Sequence, residues 1–184
     1  MVRAFVLFLF TGLSLWGQAT SLVSKTSAMK KFDGYVPFYW DEKSGKIFLE
    51  IDRWDSDFIY IVGLSQGVGS NDIGLDRGQI GGSRLVRFTR VGPKVLLIES
   101  NLYYRANSDD PRERQAVRES FAESVLWGFS VEAEDGLRAL VDATSFFMRD
   151  AHDVAGTLKN AQQGSYQVDV SRSAMYMERT KNFP

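Results

Sequence analysis

The sequence predicts an α+β fold, an antiparallel β-meander sheet with two helices packed against it. Three observations predict it. Short apolar runs alternate with turn residues between 35 and 105, a helix-capping pattern opens at Asp110, and an apolar stripe at helical spacing runs from Phe147 to Ala161. A period of two places alternate side chains on opposite faces of a strand, whereas spacings of three and four place them on one face of a helix.

In order along the chain, 20–31 is polar and aperiodic and reads as a flexible leader. A strand is expected over 35–40, a turn over 41–45, and a strand over 46–51 in which Ile47, Leu49 and Ile51 share the buried face of a half-buried element. After 52–57 comes a strand over 58–64. The stretch 63–82, GLSQGVGSNDIGLDRGQIGG, contains seven glycines in 20 residues and is too polar for a strand, so it is a long structured loop. Strands over 83–91 and 94–99 flank Gly92-Pro93, and 101–105 is a continuation of the sheet. Asp110 as cap, Pro111 at the first helical position and Glu113 three residues past the cap predict a helix to about Ser124, with Val117, Phe121 and Val125 on one face. A hairpin over 125–133 and 137–141 turns at Glu134-Asp135-Gly136. The second helix starts near Asp142 or Thr144 and stops before Gly164, its stripe of Phe147, Ala151, Val154, Ala155, Leu158 and Ala161 covering a sheet face.

With 184 residues, 22 Lys plus Arg against 23 Asp plus Glu, one His and no Cys, the composition closes more chemistries than it opens. Near-zero net charge gives no general attraction to nucleic acid or an anionic membrane. The absence of Cys removes disulfides, thiolate zinc sites, iron–sulfur clusters and thiol nucleophiles. Residues 1–19 combine Arg3, an apolar run from Ala4 to Trp16 and the small-residue site Gly17-Gln18-Ala19. That is the pattern of a secretory signal peptide, and its apolar run is shorter than the roughly 20 residues of a membrane span. The expected product is exported, periplasmic or extracellular, without a stable membrane anchor, and 32–184 forms its single domain. The chain stops at Pro184 with no terminating signal and reads as truncated there.

His152 is the only imidazole, so a closed histidine zinc site cannot be completed, and its neighbours Asp150 and Asp153 point away from it on a helix. A locally bonded boundary histidine is its expected role. In the Gly-rich loop, Asn71, Asp72, Asp76 and Arg77 form the strongest candidate constellation. The spacing lacks the alternating ligands of an EF-hand, and three readings stand: the acids satisfy loop amides while Arg77 pairs with one of them, the four residues form a binding or docking surface, or, with least support, the acids serve metal binding or catalysis. Arg84, Arg87 and Arg90 line one strand without the aromatic pattern of an RNA-binding sheet. Gly67-Val68-Gly69 lacks the rest of a dinucleotide fingerprint. No catalytic, cofactor-binding or metal-ligating residue is assigned.

The strings KKFDGYVPFYWDEKSGKIFLEI (30–51), GSNDIGLDRGQIGGSRLVRFTRVGPKVLLIESNLYYRA (69–106), RESFAESVLWGF (118–129), VDATSFFMRDAHDV (141–154) and GSYQVDVSRSAMYMERTKNFP (164–184) together resemble the N-terminal region of bacterial exported zinc-dependent metallopeptidases of the metzincin-like kind. The resemblance implies a catalytic domain with an HExxH zinc motif further along the polypeptide. This chain has no HExxH, so the zinc belongs to that other domain and no site residue carries over. The implied function is a non-catalytic accessory domain, propeptide-like or docking, whose partner is the downstream catalytic domain. The alternative is a self-sufficient exported module whose sheet and Gly-rich loop bind carbohydrate or peptide.

Overall fold

Two glycines set the hairpins from which the sheet grows. Gly92 (φ 55°) and Gly136 (φ 60°) each occupy the first central position of a two-residue turn, closing the pairs Val91 with Lys94 and Asp135 with Arg138. A positive φ at that position is what glycine supplies without strain and what matches the twist of the flanking strands. Leu137, expected as the first residue of a strand, is therefore the second turn residue and is 81% exposed.

The computed structural model describes residues 21–69 and 71–184. Its strands are β1 (Lys30–Phe32), β2 (Phe38–Asp41), β3 (Lys46–Ile51), β4 (Phe58–Gly63), β5 (Ile80–Val91), β6 (Lys94–Glu99), β7 (Ser124–Asp135) and β8 (Arg138–Asp142). They form one antiparallel sheet in the order β1-β2-β3-β8-β7-β6-β5-β4. Two meanders thus join where β8 pairs with β3, and the chain after β3 crosses to the far edge before returning. The sheet curls into a half-barrel: Tyr35, beside β2, meets Phe58 on the opposite edge strand with ring centroids 6.1 Å apart.

The inner face holds the main core, with Phe38, Leu49, Val86, Val95, Leu97, Phe129 and Phe146 all buried. β3 departs from the half-buried pattern. Ile47, Leu49 and Ile51 do share the inner face, but Phe48 is also buried, on the outer face, among Leu22, Tyr39, Ala133 and Leu140. The cover on that side comes from α1 (Leu22–Thr26), in the stretch read as a flexible leader: Leu22 is 2% exposed and Lys25 pairs with Glu132 at 3.2 Å. Residues 1–19, read as a signal peptide, lie outside the described residues.

The helices are fewer turns of structure than the sequence implies, and the reasons are local. α2 (Pro111–Ser120) is capped as expected, Asp110 Oδ1 accepting the Arg112 amide at 2.9 Å, yet it buries no residue and ends before 124 because pairing of Glu99 with Ser124 draws the chain into β7. Phe121 has left the helix and stacks on Tyr104 at 3.8 Å. The long second helix is broken into α3 (Thr144–Phe147) and α4 (Val154–Asn160). Arg149 Nε donates to the Phe146 carbonyl at 2.9 Å, taking the acceptor a continuous helix would offer to residue 150, and Asp153 adopts φ 57°. The Asp150 carboxylate then accepts the amides of Val154 and Ala155, starting α4 anew. No stripe covers a sheet face: α4 buries nothing, Phe147 is exposed, and Phe146 enters the core instead. After β6, the Asn101 side chain accepts the amides of Tyr103 and Tyr104, so 101–105 turns away rather than extending the sheet.

Candidate functional site

The Gly-rich loop between β4 and β5 is ordered by its own backbone. Leu64 and Gly78 donate to Gln79 and Leu64 carbonyls, Val68 donates to Leu75, and Leu75 is 1% exposed. Its two limbs lie so close that a Cβ on Gly67 would stand 2.7 Å from the Arg77 amide nitrogen. Glycine there is a requirement of space. The residues singled out by sequence separate into different roles. Asp76 accepts from Gln79 Nε2 at 2.6 Å, pinning the base of the loop. Asn71 begins a 3-10 turn through Ile73, and Asp72 within it is exposed. Arg77 is exposed and, among the described residues, forms no ion pair, so it does not neutralise the loop's acids.

Arg77 instead meets a segment a hundred residues away. With Ser65, Gln66, Tyr176 and Arg179 it lines an open groove of about 800 Å³. Arg179 also has no acidic partner among the described residues, and Tyr176 is 61% exposed. The groove therefore presents two guanidinium groups and a phenol with no internal compensation, a surface suited to carboxylates. Tyr176 and Arg179 carried no sequence signal, because 164–184 has neither periodicity nor a motif.

That same segment forms a strap across the mouth of the half-barrel. Met175 and Met177 pack against the main core, and the Tyr35 amide donates to Phe183 O at 2.6 Å. Asn182 Nδ2 donates to the carbonyls of Phe32 and Val36 at 3.0 and 2.9 Å. Beneath the strap lies a cavity of about 300 Å³ lined by Phe38, Leu49, Phe58, Phe88, Phe146 and Met175, with Thr180 and Lys181 on its rim. Aromatic contacts shape it: Phe146 packs against Tyr60, Trp127 and Phe129, and Arg149 reaches over Phe146 (4.7 Å) to donate to Tyr60 Oη at 3.0 Å. α3 is held in place from below by Asp142, which accepts the Thr144 amide at 2.9 Å and an ammonium hydrogen bond from Lys46 at 2.8 Å. Burial by itself would raise the Asp142 carboxyl, but these hydrogen bonds outweigh it and hold the group below its usual value.

His152 does not behave as the locally bonded residue expected. Its Nδ1 is sealed from solvent near Gly81 without a hydrogen-bond partner among the described residues, and neighbouring Asp150 is committed to capping α4. Among the described residues no three His, Cys, Asp or Glu side chains converge as a metal site. With one His and no Cys, the residues of this chain do not fit a zinc centre of the HExxH kind. Among the described residues the one deeply buried carboxylate, Glu50 at 3% exposure, lies under α1 and accepts from Tyr39 Oη at 2.6 Å and Arg138 Nη1 at 3.2 Å.

A family described as Domain of unknown function (DUF5117) matches residues 78–184, more than half of the chain. No curated protein and no solved structure matches.

Proposed function

Since the chain belongs to the DUF5117 family of domains of unknown function, we propose that it serves as a non-catalytic accessory domain of an exported zinc-dependent metallopeptidase, docking on a catalytic domain that carries the zinc. The observation that carries this reading is the groove lined by both Arg77 and Arg179, neither of which has an acidic partner among the described residues. Two guanidinium groups without an internal acid, one on the Gly-rich loop and one on the strap, make the groove complementary to external carboxylates. Asp72, exposed on the same loop, adds a charge of opposite sign to the docking surface. The resemblance of 30–184 supports a catalytic domain as the partner, and the apolar run of 1–19 supports export.

The test is made on the complete exported polypeptide. Secreted wild type should show chelator-sensitive proteolysis, and Arg77→Glu with Arg179→Glu should change that activity or release the domain on limited proteolysis while its melting temperature moves by no more than a few degrees. Absence of chelator-sensitive proteolysis in the wild type sinks the peptidase assignment. Intact activity and association in the double variant sink the docking surface.

A further inference from the structure

The cavity beneath the strap is not used by the docking reading, and its chemistry is different from that of the groove. We propose that it is a binding site for a medium-chain fatty acid, with the acyl chain among Phe38, Leu49, Phe58 and Phe146 and the carboxylate against Lys181. The walls are almost entirely hydrocarbon, from aromatic rings of three strands and α3, and the volume of about 300 Å³ falls at the small end of ordinary ligand pockets, roughly 300–1,000 Å³. An apolar space of this size draws an apolar guest, because filling it restores contacts that its lining lacks.

The rim decides which guest. Thr180 has already committed its hydroxyl to the Tyr176 carbonyl at 2.9 Å, whereas the Lys181 ammonium is exposed and has no acid or acceptor among the described residues. One unpaired cation at the mouth of an apolar chamber is complementary to an amphipathic anion with a single charged end. A peptide or a carbohydrate brings several backbone or hydroxyl groups that each need a partner, and the chamber cannot supply them. The strap makes the chamber accessible without unfolding the core, since it is held at Met175 and Met177 on one side and at Asn182 and Phe183 on the other, with Thr180 and Lys181 between these anchors.

Isothermal titration of the purified full chain with sodium decanoate and with 1-decanol separates the two parts of the claim. Decanoate should bind one to one, and Lys181→Glu should weaken it about tenfold while leaving 1-decanol unchanged, the loss expected from reversing one partly exposed ion pair. Leu49→Trp, which fills the chamber, should abolish both. Because Lys181 is exposed, its variant reports even if Leu49→Trp fails to fold. The proposal is overturned if decanoate does not bind, if Lys181→Glu leaves decanoate affinity unchanged, or if a capped apolar tripeptide binds the chamber and decanoate does not displace it.

Discussion

Asn182 fills the space in which a side chain at position 34 would have to stand. A Cβ on Gly34 would lie 2.2 Å from the Asn182 side-chain carbon, and the same amide bonds the carbonyls of Phe32 and Val36 on either side of the glycine. The pair ties the end of the strap to the β1–β2 turn, and Gly34 is required for room, since its φ is not in the left-handed region.

Asn182→Ala should therefore lower stability by about 1–2 kcal/mol, the cost of leaving half-buried carbonyls unpaired, which for a chain of this size is a fall of roughly 2–4 °C per kcal/mol in melting temperature. Gly34→Ala should do the same and release the strap. Limited proteolysis followed by mass spectrometry reads this as faster cleavage between 164 and 184. Unchanged melting and cleavage in both variants would show that the strap is held elsewhere.

The outer-face core contains the buried hydrogen-bonded set Tyr39, Glu50 and Arg138. Glu50→Ala strands the Tyr39 hydroxyl at 6% exposure, whereas Arg138 keeps Asp135 and is itself 41% exposed, so the loss should be about 2–3 kcal/mol, below that of a fully buried pair. Glu50→Gln retains an acceptor and should lose less. Burial, then the bond to Glu50, raises the Tyr39 phenol above its usual 10.0, so its stabilising contribution is complete below that pH and disappears as pH climbs toward the folded value. Urea titrations at pH 8 and pH 11 measure both effects. Equal losses for Ala and Gln, or a pH response that survives Tyr39→Phe, would refute this account.

Asp142 gives the opposite pH dependence. Its carboxyl is lowered despite burial, by Lys46 and by both the side chain and the amide of Thr144. A depressed folded value means stability that is present above the unfolded value near 3.8 and is lost as pH falls through the folded one. Thermal melts between pH 6 and pH 3 should show the decline, and Asp142→Asn should be less stable at pH 6 but less sensitive to acid. A variant with the wild-type acid slope would remove Asp142 as its cause.

The sheet was legible where burial is one-sided and turns are glycine-driven. β6 matches the bounds that alternation implies, β3 matches its bounds although both of its faces are buried, and Gly92 and Gly136 mark the β5–β6 and β7–β8 hairpins. The helices were not, because propensity and stripe ignore competitors for the same hydrogen bonds: Arg149 captures the Phe146 carbonyl, and Asp150 captures two amides. The buried outer face of β3 was hidden because α1 lies in a polar stretch where only Leu22 and Thr26 turn inward. Of the candidate loop, sequence gave the residues and missed their partners. Nothing local to Tyr176, Arg179 or Lys181 announces a groove or a rim, since the first arises only when the strap meets the loop after β4 and the second only when it folds back over strands far earlier in the chain.

Gly67 offers a way to separate the architecture of the loop from its charges. A methyl group there meets the backbone of Asp76 and Arg77 at 2.7–2.9 Å, which neither limb can relieve by rotating a side chain. Gly67→Ala should open the loop, displacing Arg77 from the groove it lines with Arg179 while leaving every charge in place. The sheet beneath does not depend on that contact, so global stability should fall by no more than about 1 kcal/mol, as for other changes remote from the core. Hydrogen exchange of the Val68 and Gly78 amides should accelerate, since their acceptors lie on the opposite limb of the same loop. If the groove acts through the placement of its two arginines, Gly67→Ala should alter domain association as Arg77→Glu with Arg179→Glu does. If association follows charge alone, the glycine variant will bind as wild type despite its faster exchange, and the placement of Arg77 on the groove it lines with Arg179 will have no functional weight.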